Sequence, residues 1–155
     1  MNETMRVLKA DIAAARQAIE RLYAQLSRYE GASASEEQTI VIAYYLHNLY
    51  SAFEDVFQRV AETFENQVSD RTQWHAQLLR RMTLDIEGIR PQLLGSEAFN
   101  CLDELRRFRH VFRSAYAVSL DPERLVLVSE KARRLHAVYG DDFDRFVSYL
   151  DQLDQ

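Results

Sequence analysis

The sequence has few of the residues that make tight turns, because its 155 residues include only four glycines and two prolines. A sheet of several strands places such residues at its hairpins, so their scarcity argues against that architecture and favours long helices. Cysteine is nearly absent as well. The single one, Cys101, cannot form a disulfide within the chain and is expected to pack in the core rather than act as a nucleophile.

Long hydrophobic runs are also missing. The most apolar stretch, residues 39–46, contains two tyrosines and is far shorter than the roughly eighteen residues that a membrane-spanning helix needs. Residues 1–10 are polar and do not resemble a secretory leader, so a cytoplasmic protein with no membrane contact is expected. No glycine-rich phosphate loop occurs, and His75 and His136 have no companion ligand at metal-binding spacing. We therefore expect neither a cofactor nor a metal.

Apolar residues recur every three or four positions along most of the chain, which predicts an all-α fold. We expect a single domain over residues 1–155, an antiparallel bundle of about five helices. Gly140 could bend or divide the last helix, and Asp141, Asp142 and Asp144 would then cap its second part. Capping residues and prolines set the other boundaries. The helices are predicted over residues 3–30, from the Ser35 cap through Phe64, from about Asp70 to before Pro91, from the Ser96 cap to between Tyr116 and Leu120, and from Asp121 onward.

The segment 106–116 reads RRFRHVFRSAY and concentrates four arginines in a chain whose formal net charge is -5. No acid occurs between Leu105 and Leu120, so the local field is positive and an anion is the natural partner. The planar fork of arginine suits phosphate, such as an RNA backbone, although a solvated surface would show the same pattern. On a helix the apolar Leu105, Phe108, Phe112 and Ala115 fall on one side, and the other side carries Arg106, Arg109, His110, Arg113 and Tyr116.

Within this segment, FRHVFRSAY resembles the signature of the HepT-like branch of the HEPN superfamily. That signature is an arginine, four residues, a histidine, any residue and a tyrosine. Arg109 stands at the arginine and Tyr116 at the tyrosine, whereas Ser114 stands where the family has histidine. The similarity covers most of residues 40–130. Its flanking parts are Trp74 with His75, Arg90 with Pro91, and residues 120–125, which read LDPERL.

The resemblance implies a metal-independent endoribonuclease toxin that cuts transfer or messenger RNA. It also implies a homodimer in which the signature helices of two subunits form one composite cleft. Arg109 would stabilise charge on the phosphate, with Arg106, Arg107 and Arg113 binding the RNA backbone. Tyr116 would accept AMP from an MNT-type nucleotidyltransferase antitoxin, which blocks the cleft with bulk and negative charge.

Ser114 stands at the position of the histidine that transfers the proton in this family. A serine hydroxyl cannot replace it, because it does not exchange protons near neutral pH as imidazole does. A natural loss of activity, an engineered change that tames a toxin, or a rearranged site that uses His110 would each explain it. His110 shares the arginine side of the helix, where it could also contact only RNA or a partner carboxylate. An alternative function is a non-catalytic helical module that binds RNA, a nucleotide or the nucleotidyltransferase. A third is a structural protein with a solvated arginine face.

Overall fold

The computed structural model describes residues 3–29, 35–66, 74–114 and 120–154, with the side chains of Arg113 and Ser114 left outside this description. Over these ranges the chain forms helices and, apart from one isolated bridge between Ile86 and Arg90, no β structure. The predicted all-α bundle of five helices is therefore confirmed. No helix in these ranges is long and apolar enough to span a membrane. The helices are α1 (Glu3–Ser27), α2 (Glu36–Phe64), α3 (Trp74–Arg81), α4 (Ser96–Ser114) and α5 (Pro122–Leu153).

Helix α2 lies at the centre of the bundle and packs against each of the other helices. Its apolar stripe includes Tyr50, Phe53 and Phe57, which are fully buried. Helix α5 adds Phe143 and Phe146 to the same core, where Phe143 meets Phe53 edge to face at a centroid distance of 6.0 Å. Cys101 is buried on α4, as expected. The signature helix α4 is thus held between α2 and α5, with one side left outside the core.

Two of the predicted helix starts are confirmed by their caps. The Ser35 side chain accepts a hydrogen bond from the backbone N–H of Gln38 at 3.1 Å, which begins α2. The Asp121 carboxylate accepts from the N–H of Glu123 at 3.0 Å, and Pro122 follows where no N–H is needed. The predicted start of the third helix near Asp70 lies outside the described residues. Its predicted end just before Pro91 is wrong, because α3 ends at Arg81 and turns follow it.

The start of α4 differs from the prediction by one residue. Ser96, the expected cap, is itself helical, and the carbonyl of Gly95 accepts the first helical hydrogen bond from Phe99. The N–H of Gly95 donates to Asp142 Oδ2 of α5 at 2.9 Å. An acid from a neighbouring helix therefore satisfies the backbone at this helix start, which a local capping pattern does not reveal.

Helix α5 runs without interruption through Gly140, so the predicted division there is wrong. The nearby acids do not cap a new helix start. Asp142 binds Gly95 and Arg145, and Asp144 accepts a 2.7 Å hydrogen bond from Arg16 of α1. These two acids contact different neighbours because positions 142 and 144 are two residues apart and so lie on opposite sides of α5.

The loop between α3 and α4 is held by a buried arginine. The sequence predicts only a loop at Arg90 and Pro91, but the Arg90 side chain is fully buried and its Nε and Nη2 donate to Glu65 at 2.9 and 2.7 Å. Its Nη1 donates to the carbonyls of Leu84 and Pro91. Arg81 binds the same carboxylate at 3.0 Å. This cluster ties the end of α2 to the segment that leads into α4.

Candidate functional site

Helix α4 places its apolar side in the core, as predicted. Leu105 and Phe108 are buried. The remaining side chains of the signature segment lie towards the surface: Arg106 and Arg109 are half-buried, and Arg107 and His110 are exposed. The basic side of the helix is therefore accessible for at least part of its length.

Acids on the preceding turn balance the first two arginines. Asp103 binds Arg106 at 2.8 Å and Arg107 at 3.0 Å, and these are pairs of the i, i+3 and i, i+4 type. Glu104 lies 3.8 Å from Arg107 and binds Arg124 of α5 at 3.1 Å. The positive field of the segment is accordingly weaker at its start than the run of arginines alone indicates.

Arg109 is held differently. Its Nε donates a 3.0 Å hydrogen bond to the hydroxyl of Ser51 on α2. The hydroxyl of Ser51 in turn donates to the backbone carbonyl of His47, one turn earlier, at 3.1 Å. Among the described residues Arg109 forms no ion pair with a carboxylate. Within the described part of the chain it is anchored by a neutral hydroxyl and not by a carboxylate, which suits it to bind an anion.

Two further side chains of α2 lie at this contact with α4. The His47 ring meets the Phe112 ring edge to face at a centroid distance of 5.5 Å. Tyr50 is fully buried, and its hydroxyl has no hydrogen-bond partner among the residues that the structure describes. Burial raises the pKa of Tyr50, while the charges of Arg106 and Arg109 act in the opposite direction. Both cations therefore lie close enough to Tyr50 to act on the pKa of its hydroxyl.

The structure brings only some of the predicted site residues together. Arg106 and Arg109 lie along the contact of α4 with α2, and His110 lies on the exposed side of α4. Arg113 and Ser114 are the last described residues of α4, and their side chains are not described. Tyr116 and the predicted end of this helix lie outside the described residues. Sequence reasoning missed Ser51, because it is 58 residues away from Arg109 and no local pattern pairs them.

The basic side of α4 is not part of the main cleft. A cleft of about 680 Å³ lies between α1, α2 and α5, and its described lining includes Leu26, Ile42 and Leu125 with Glu20 and His136 at polar positions. None of its described lining residues comes from α4. Within the described ranges no group of three or more His, Cys, Asp or Glu residues is placed to hold a metal ion.

Comparison with known proteins returns one match. A family model described as HepT-like protein matches residues 41–150, which run from α2 through nearly all of α5 and include both Ser51 and Arg109. No curated protein and no solved structure matches the chain. The matched region covers well over half of the sequence and ends close to the end of α5. The chain therefore belongs to the HepT-like family of the HEPN superfamily.

Proposed function

We propose that this chain is a HEPN-type toxin built to cleave RNA, either transfer or messenger RNA, without a metal. Family membership supports a HEPN-type toxin in general. The observation that carries the ribonuclease assignment is Arg109, an arginine of the signature helix that a neutral hydroxyl holds in place. An arginine without a carboxylate partner is suited to bind a phosphate group and to stabilise the charge that builds on it.

The proposed reaction needs two services from the protein. A proton-transfer group must take the proton of the 2'-hydroxyl as its oxygen attacks the adjacent phosphate, and must return a proton to the 5'-oxygen as the bond from phosphorus to that oxygen breaks. Cationic donors must stabilise the charge that develops on the phosphate oxygens. Arg109 supplies the second service. The flanking phosphates are bound by Arg106, Arg107 and Arg113. To bind them, Arg106 and Arg107 must give up their ion pairs with Asp103.

The first service is where this chain departs from its family, because Ser114 cannot accept a proton at neutral pH. We expect efficient cleavage to require histidine at position 114. His110 is the rival route, since it is exposed on the helix that carries Arg109. A base that was lost, whether naturally or by engineering, and a site rearranged around His110 make different predictions for the experiment below.

A homodimer completes the proposed site. The basic side of α4 is half-exposed and does not line the cleft of about 680 Å³, and we place the RNA on this side, where a second subunit would cover it. Val111 on the same helix is 60% exposed, and we place it at the contact between the two subunits. Two signature helices that meet across a twofold axis would enclose the RNA between them.

The proposed control of the toxin uses Tyr116 as the acceptor of AMP from an MNT-type nucleotidyltransferase antitoxin. Arg113 precedes Tyr116 by three residues and Arg109 by seven, so an attached AMP would bring a phosphate to the arginine segment. Co-expression with the nucleotidyltransferase should add the mass of AMP to the chain, and the Tyr116→Phe form should gain none. AMP on another residue would refute this assignment.

The ribonuclease proposal is tested by cleavage of total transfer RNA in EDTA. The chain itself, the Ser114→His form and the double variant with Arg109→Ala are compared. Arg59→Ala in the Ser114→His background is a matched control, because Arg59 is a half-exposed arginine bound to Asp11 on the α1 side of α2. We expect Ser114→His and its Arg59→Ala control to cut, and loss of Arg109 to reduce cleavage by about a hundredfold or more.

Other outcomes separate the alternatives. If the chain with Ser114 already cuts and His110→Ala stops it, the site is rearranged around His110. If no form cuts, the alternative of a non-catalytic binding module, which Ser114 favours, takes its place. In that case RNA binding by the unchanged chain should weaken steeply with salt, and Arg109→Ala should reduce both the affinity and the slope.

A further inference from the structure

The hydrogen bond between Ser51 and Arg109 has a fixed direction. A serine hydroxyl carries one proton, and that of Ser51 is donated to the carbonyl of His47 within α2. The oxygen is then left as an acceptor, which is what the Nε–H of Arg109 requires at 3.0 Å. Helix α2 thus presents α4 with a hydroxyl that is already oriented to receive an arginine.

Because Ser51 binds Arg109 through a neutral hydroxyl, it does not compensate the positive charge of the arginine. Arg106 and Arg107 share the carboxylate of Asp103, so a phosphate that approaches either one competes with an existing ion pair. Ser51 fixes Arg109 with a neutral group, which orders the side chain and leaves its full charge to a ligand. The bond occupies Nε of the guanidinium, and no described residue binds the edge formed by the two terminal nitrogens, which suits a bidentate contact with phosphate oxygens.

We infer that Ser51 is a positioning residue of the α4 site, which orients the Arg109 guanidinium so that its terminal nitrogens contact the RNA phosphate. This inference rests on the proposed function of Arg109. Ser51 does not touch the RNA and acts only through the arginine. Preorganisation of a charged group matters most when charge develops in the transition state, so the loss of Ser51 lowers kcat more than it raises KM.

The test uses the Ser114→His form, with Ser51→Ala, Ser51→Thr and Thr63→Ala introduced separately. Thr63 is a matched control because it lies on α2 and its hydroxyl also donates to the carbonyl four residues earlier, that of Arg59, at 2.7 Å. Threonine at position 51 keeps a hydroxyl that can make the same backbone hydrogen bond. We expect Ser51→Ala to lower kcat on the order of tenfold, Ser51→Thr to restore most of it, and Thr63→Ala to leave it unchanged.

A second readout does not depend on cleavage. In the unchanged chain, the Arg109 Nε–H signal in nuclear magnetic resonance, assigned by its absence from Arg109→Lys, should exchange with water faster in Ser51→Ala. RNA affinity at low salt should fall in parallel. Equal thermal midpoints for Ser51→Ala and Thr63→Ala would show that the fold is intact.

The outcomes separate this inference from the proposed function. If Arg109→Ala abolishes cleavage or RNA binding while Ser51→Ala changes neither, the inference on Ser51 is wrong and the function of Arg109 stands. If Arg109→Ala changes neither, then the proposed site fails and Ser51 has no role in it. Loss of activity in Ser51→Thr equal to that in Ser51→Ala would also overturn the inference, because the hydroxyl would then not be the group that matters.

Discussion

The hydroxyl of Tyr50 lies in the apolar core, where an unpaired polar group lowers the stability of the fold. Its ring is fully buried on α2, and its hydroxyl has no hydrogen-bond partner among the described residues. An unsatisfied buried hydroxyl costs about 1–3 kcal/mol relative to a paired one. The neighbouring charges of Arg106 and Arg109 act on this group, so it belongs to the same contact between α2 and α4 as the candidate site.

Replacing Tyr50 with phenylalanine should leave the free energy of unfolding at pH 7 unchanged or raise it by about 1 kcal/mol. Burial raises the folded-state pKa of Tyr50 above the unfolded value of about 10. The free energy of unfolding is therefore independent of this group below about pH 10 and falls as the pH rises above it, because only the unfolded chain then loses the proton. The unchanged chain should therefore lose stability in alkali more steeply than Tyr50→Phe, by up to about 1.4 kcal/mol per pH unit. Urea unfolding between pH 7 and 11 measures both quantities.

Tyr44 offers the control for this experiment, because it lies on the same helix and is 54% exposed. Tyr44→Phe should change neither the stability at pH 7 nor its alkaline slope. A loss of more than about 1 kcal/mol in Tyr50→Phe at pH 7 would contradict the prediction, since it would mean that the hydroxyl has a partner such as an ordered water.

The motif located Arg109, but it could not show what distinguishes this arginine from Arg106 and Arg107. All three belong to one run in the sequence and look equivalent there. Asp103 lies just before the acid-free stretch from Leu105 to Leu120, and Ser51 lies on another helix. Charge pairing within a helix could be read from i, i+4 spacing, whereas a contact between helices depends on how they pack.

The helices themselves are joined by buried ion pairs as well as by apolar contacts. Glu65 closes α2 and binds Arg81 at the end of α3 and Arg90 in the following loop. Arg90 is fully buried and uses three nitrogens for these hydrogen bonds, so the loop that enters α4 is fixed to the end of α2.

Arg90→Ala should lower the free energy of unfolding by about 3–5 kcal/mol, because it leaves Glu65 buried with part of its charge uncompensated. Arg90→Lys should recover little, since an ammonium group cannot reproduce the planar fork. Arg81 binds the same carboxylate but is 29% exposed, so Arg81→Ala should cost about 1 kcal/mol. Denaturant unfolding compares the three, and a small cost for Arg90→Ala would contradict the structural role.

Local signals predicted helices well and their connections poorly. The caps at Ser35 and Asp121 were predictable because the capping group and its N–H are two or three residues apart. The start of α4 was not, because its acid comes from Asp142, 47 residues after Gly95. The ion pair between Glu65 and Arg90 could not be predicted for the same reason. The two residues are distant in the sequence, and only the packing of the helices brings them together.

At the scale of the whole molecule, the proposed function needs two copies of the chain. The matched family region begins within α2 and leaves α1 outside it, whereas α4 and its arginines lie inside. An interface centred on the signature helix would bury Val111, which is 60% exposed on this helix. The structure of one subunit therefore contains a surface that the proposed dimer would use.

Val111→Asp should shift the chain from dimer to monomer in light scattering after size-exclusion chromatography, and should abolish cleavage by the Ser114→His form. A buried carboxylate without a partner is strongly unfavourable at an interface. Val7→Asp is the matched control, because Val7 has the same exposure of 60% but lies on α1. A chain that is monomeric at every concentration would rule out the composite cleft.

Asp103 affects which anions can bind to the arginines of α4. Because it already occupies Arg106 and Arg107, a free phosphate or a mononucleotide finds, among the α4 arginines whose side chains are described, only Arg109 without competition. A polymer bound at Arg109 presents its next phosphates at high effective concentration, which lets them displace the carboxylate. Asp103 would thus act as an internal competitive inhibitor that small anions do not overcome, and the helix would discriminate by the length of its ligand before any base is contacted.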